Sequence, residues 1–142
     1  MTSAGSPCVG HAAVVATLAH SQRVLHRLLY AHIQLRLLLE VGEGRFLGRA
    51  LDELADAEDE MKQAEAMTTH AAAEAAMAAG LPSDSEILEL IEAVPDDVGH
   101  ALVHLRQTIQ DLLTAVNAER ALAREVSGAL VTNRPPGGSR QA

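Results

Sequence analysis

The chain has 142 residues, no Trp, one Tyr (Tyr30), one Phe (Phe46) and one Cys (Cys8), with a formal net charge of −8 from 19 acidic and 11 basic residues. Such a charge repels phosphate backbones, and with no basic stripe or run of aromatic platforms to offset it, nucleic acid is not an expected partner. A lone cysteine rules out an intrachain disulfide, and no apolar run reaches the roughly 18 residues that suggest a membrane-spanning helix.

Ala, Leu, Val, Ile and Met must supply almost the whole core. Ala, Leu, Met and Glu lose least in a helix, whereas sheets favour β-branched and aromatic side chains, so an all-α protein is expected. Residues 1–10, with Ser3, Gly5, Ser6 and Pro7, read as a disordered N-terminal arm. That start lacks the basic segment of a signal peptide, which makes the cytoplasm the expected compartment. A first helix is predicted from about His11 to Val41, where Val24, Leu28, Ala31, Leu35 and Leu38 recur at 4-3-4-3 spacing. Leu25, Leu29, Ile33 and Leu37 widen its apolar stripe enough for two neighbours. Gly42-Glu-Gly44 then interrupts the helix.

A second helix is predicted from about Arg45 to Ala79. Its repeat of Leu47, Ala50, Leu54, Ala57, Met61, Ala64, Thr68, Ala71 and Ala75 has Thr68 as its one polar member. The repeat becomes nearly all Ala in its second half. Small side chains allow close approach but bury little area, so this half is expected to be the less stable. Gly80-Leu-Pro82 ends the helix, and Ser83-Asp-Ser-Glu86 has the pattern of a capping box for a short helix ending near Val94. Pro95 suits the first position of a last helix, with Asp96 and Asp97 at the positive end of its dipole. That helix continues to about Val131 along Val98, Leu102, Leu105, Ile109, Leu112, Val116, Glu119, Ala123, Val126 and Leu130, with Glu119 as the single charge. Residues 133–142 form a Pro/Gly-rich tail expected to be disordered. The expected architecture is an elongated antiparallel helical bundle or coiled coil of three long helices and one short helix, spanning residues 11–132.

No catalytic machinery is apparent, and neither a cofactor nor a metal is expected. Asp97, His100 and His104 share one helical face, but bundle metal sites draw ligands from several helices, commonly through Glu-x-x-His pairs, and no such pair occurs. Cys8 has only His11 nearby to activate it, and no nucleophile elbow, phosphate loop or dinucleotide fingerprint is present. The acidic run from Asp52 to Glu60 covers several faces of the second helix and reads as a solvated surface.

Binding remains as the function class. Leu122, Val126, Leu130 and Val131 stay apolar up to the tail, and an Ala-rich second helix would cover them poorly, leaving a face for a partner helix. Glu119, a charge within the seam, is expected where the helix leaves its neighbours. Residues 25–40 (LHRLLYAHIQLRLLLE), 47–65 (LGRALDELADAEDEMKQAE), Gly80-Leu81, Ile87–Ile91, Val94-Pro95 and 105–122 (LRQTIQDLLTAVNAERAL) follow one another in an order that resembles the FlgN-like flagellar export chaperones. The most specific match is Asn117-Ala-Glu-Arg120-Ala-Leu122, where Arg120 stands in place of the family's second Asn. The resemblance implies a cytoplasmic chaperone that keeps hook–filament junction (hook-associated) proteins soluble before type III export, with the flagellar export apparatus as a further partner. The expected partner-binding residues are Val116, Asn117, Arg120, Leu122, Ala123, Val126 and Leu130. The alternative is a self-associating scaffold that buries the same stripes in a homodimer.

Overall fold

A computed structural model describes residues 7–93 and 96–132, with side chains described at 11–87, 89–93 and 96–129. Helix α1 spans Pro7–Val41, α2 Leu47–Ala78, α3 Ile87–Glu92 and α4 Asp96–Thr132; a single 3-10 turn, Gly44–Phe46, joins α1 to α2. Among the described residues there is no strand, and no helix is long and apolar enough to cross a membrane. The long helices pack as an all-α bundle. Helix α1 lies along both α2 and α4, whose own backbones hardly approach each other. Arg27 meets Glu60 and Ser21 meets Thr68, so α1 and α2 are antiparallel. Helix α4 returns alongside α1 in the same direction, as the pairing of Arg36 with Glu119 and the clustering of Val14 with Leu102 require.

Two tight turns set this path. At the end of α1, the Gly42 and Glu43 amides donate to the carbonyls of Leu39 and Leu38 at 3.3 and 3.1 Å. At the end of α2, Gly80 and Leu81 donate to Met77 and Ala76 at 3.1 and 2.8 Å. Both are Schellman closures, and each places glycine at positive φ, +71° at Gly42 and +77° at Gly80. The capping box lies one turn later than the sequence pattern suggests. Ser83 falls within a turn closed by the Ser85 amide on the Pro82 carbonyl, and the box is formed by Glu86 and Glu89, whose carboxylate accepts the Glu86 amide at 3.0 Å. Helix α1 also starts at Pro7, within the expected arm, because proline needs no amide partner at a first helical position. The rest of the arm, the expected Pro95 start and the tail from Asn133 lie outside the described residues.

The core follows the heptads of α2. Ala50, Ala57, Ala64 and Ala71 are all buried at seven-residue spacing, which lets α1 approach closely and fill the space with its own larger side chains. One cluster joins Leu25 and Leu28 of α1, Ala57 of α2, and Leu112 and Val116 of α4. The other joins Val14 and Leu18, Ala71, Ala75 and Ala76, Leu90 of α3 and Leu102 of α4. The Ala-rich half of α2 therefore buries Ala71, Ala75 and Ala76 in this second cluster. The antiparallel turn carries it to the α3 end, where Leu90 and Leu102, both fully buried, supply the area its alanines lack. Ile109 packs against both clusters and connects them.

Candidate partner-binding surface

The two polar residues in the apolar repeats of α2 and α4 are each matched by α1. Thr68 shares a 3.3 Å hydrogen bond with buried Ser21. Glu119 accepts from Arg36 Nε at 2.5 Å, and the same guanidinium donates to Glu40 at 3.0 Å through Nη1. Glu119 thus lies on an interhelical ion pair, at the point where the burial of α4 ends. Arg120 turns to the other flank, where Nη2 donates to Glu58 of α2 at 3.3 Å and Nη1 to Asn117 Oδ1 at 3.5 Å. His32 is buried among these charges, and its Nε2 has no hydrogen-bond partner among the described residues. Burial, and then the positive charge of Arg120, hold the His32 imidazole below the usual histidine value, against the opposite pull of Glu58 and Glu119. A polar layer of His32, Arg36, Glu58, Glu119 and Arg120 therefore crosses all three long helices.

This layer marks a change in packing. On its α3 side lie both core clusters. On its other side, no described residue of α1 after His32 is buried, none of α4 from Asn117 to Ala129, and only Ala50 of α2 before Ala57. Yet this end carries Leu35, Leu37, Leu38, Leu39, Leu51, Leu54, Leu122 and Val126. Surface that would be core at the opposite end is here half-covered or open.

The expected binding residues do not share one exposed stripe. Val116 is 1% exposed and belongs to the core cluster with Leu25 and Leu28. Asn117 is exposed, Arg120 is half-buried against Glu58, Ala123 and Val126 are half-buried, and Leu122 is 41% exposed. The Leu130 side chain lies outside the described residues. His100 and His104 are both exposed, and among the described residues no three metal-ligating side chains converge.

A feature missed by reading α4 alone is the trough left where α2 and α4 stay apart. Its wider part, about 460 Å³, is floored by Leu18 and Ser21 and walled by Met61, Thr68, Ile109 and Leu113. A further 300 Å³ continues past Met61, Glu65 and Leu113 to Val116, ending at the Glu58–Arg120 pair. The signal available in sequence was Leu113, an apolar residue just outside the α4 seam. No protein-family model, curated protein or solved structure matches the chain.

Proposed function

We propose that this chain is a cytoplasmic, non-enzymatic helical chaperone of the FlgN-like kind. It binds an assembly helix of a hook–filament junction protein and holds it soluble until export, with delivery to the export apparatus as the following step. The observation that carries this reading is the incompletely packed run of α4 beyond the His32–Arg36–Glu119 layer, where Leu122 is exposed and Ala123 and Val126 are only half-buried. Amphipathic helices bind such surfaces by adding an apolar face, with anchors at i, i+3 or i+4, and i+7. A client helix placed along α4 would cover Leu122, Ala123 and Val126 and continue toward Leu130. Asn117 and Arg120 would border it, and the Arg120–Glu58 pair would limit its advance into the α2–α4 trough. Val116 would act from beneath, as the core residue that holds this part of α4 in place.

The order of sequence segments that resembles the FlgN-like proteins supplies the client class. Copurification of the tagged chain with the junction proteins of the same genome tests the assignment. A stoichiometric complex that is lost when Leu122–Val131 is deleted, with a helical bundle retained, is the expected result. No complex, together with a tight homodimer in sedimentation, would replace the chaperone by the self-associating scaffold.

A further inference from the structure

Both aromatic residues of the chain lie outside the core, along one groove. Tyr30 is 62% exposed and Phe46 49%. In a protein with no other aromatic side chain, burial of these two would have been the largest single gain in core area. They instead flank the outer groove between α1 and α2, to which, among the described residues, α4 contributes no lining residue. Its first part, about 430 Å³, lies between Leu37 and Leu38 of α1, Phe46 of the turn and Ala50 of α2. A second part of about 300 Å³ shares Gln34 and Glu53 with it and continues past Tyr30 and Ala31 to Arg27. Exposed Leu37 extends the apolar floor. From Arg27 to Leu38 the groove is about 17 Å long at 1.5 Å per residue, the length of three helical turns.

The α2 rim fixes the chemistry of an occupant. Glu53, Asp56 and Glu60 line the groove, and six of the nine residues from Asp52 to Glu60 are acidic with none basic. The two lining arginines are already neutralised, Arg27 by Glu60 at 2.9 Å and Arg49 by Glu53 at 3.3 Å. Asp56 has no ion-pair partner among the described residues. Arg45 stacks on the Phe46 ring at 5.5 Å, but Glu43 binds its guanidinium at 2.9 Å, so this cation is compensated too. A second copy would bring the same net charge of −8, which opposes self-association here, whereas a basic helix is attracted. We infer that the α1–α2 groove is a second docking surface, separate from the α4 face, which takes a basic amphipathic helix of another protein. Tyr30, Leu37 and Phe46 receive its apolar side chains, and Asp56, the lining carboxylate outside the two ion pairs, receives a lysine or arginine, with the surrounding Asp52–Glu60 acidic run favouring a basic partner.

The test uses a synthetic three-to-four-turn helical peptide with leucines on one face and lysines beside them, and a matched peptide with glutamates in place of the lysines. Calorimetric titration of the intact chain should show saturable binding of the basic peptide alone. Affinity should fall at least about tenfold in Phe46→Ala and in Tyr30→Ala, as loss of an aromatic anchor does, and should also fall in Asp56→Lys. Because the ring positions are exposed, circular dichroism of these variants should match the wild type. The Leu122→Asp variant should bind the basic peptide normally, which separates this surface from the chaperone face. Equal binding of both peptides, or binding indifferent to Tyr30 and Phe46, would overturn the assignment. A wild-type dimer dispersed by Phe46→Ala would overturn it in favour of a second copy.

Discussion

Replacing Ala64 by leucine is the sharpest test of how α1 and α2 pack. Ala64 is fully buried and occupies the third place in the run Ala50, Ala57, Ala64, Ala71 that faces α1. Leucine is nearly as good a helix former as alanine, so propensity is almost unchanged. If the interior had room, the three added carbons would stabilise the fold by roughly 2.4 kcal/mol at about 0.8 kcal/mol each. In a close helix pair they have nowhere to go without displacing α1, and overpacking of this kind costs about 1–3 kcal/mol. At an unfolding entropy of about 2.1 cal/mol/K per residue, this corresponds to a fall of roughly 3–10 °C in Tm. Thermal melts followed by far-UV circular dichroism, with urea titration alongside, read the effect. The control is Ala66→Leu on the exposed face of the same helix, expected within about 0.5 kcal/mol of wild type. An Ala64→Leu protein as stable as wild type, or more so, would refute close packing along the alanine run.

Three further outcomes follow from the same geometry. Leu102→Ala, at a fully buried site beside Ala75, Ala76 and Leu90, should cost about 2–5 kcal/mol in urea unfolding, whereas Leu122→Ala should cost much less; equal losses would contradict the two-ended packing. Gly80→Ala should lose about 1–2 kcal/mol, because φ +77° disfavours any residue with a Cβ, and an unchanged melt would show that the turn adapts. The folded state holds His32 below its ordinary value of 6.5, so the unfolded chain binds the proton more readily; stability should fall as pH drops below about 6.5 and level off once the folded-state value is passed. His32→Leu should make melting less dependent on pH across that window, and an equally steep fall in the variant would remove His32 as a cause.

Periodicity was a good guide to the long helices because it reports a local property, the face that must leave water. The Gly42 and Gly80 stops were legible for a similar reason, since each closure needs a residue that accepts positive φ. The partners of each apolar stripe depend on helix direction, which periodicity does not encode. The Ala-rich half of α2 was expected to lie loosely against the end of α4; the antiparallel turn instead places it against Val14, Leu18, Leu90 and Leu102. Glu119 and Thr68 stood out as polar interruptions, and their partners Arg36 and Ser21 were present in the first helix. Pairing them requires the relative register of α1 with α4 and α2, and that register is fixed only when the helices pack. The α2–α4 trough could not be read from either helix, because it exists where two helices that share α1 fail to meet.

Binding at the α4 end is best tested by calorimetric titration of the purified chain with the terminal helical segment of a hook–filament junction protein from the same genome, in parallel with Leu122→Asp and Val126→Asp. The expected result is a saturable complex with the wild type that both variants lose while their helicity by circular dichroism is unchanged. No heat of binding with any junction segment, or a complex that both variants form as well as the wild type, would contradict it.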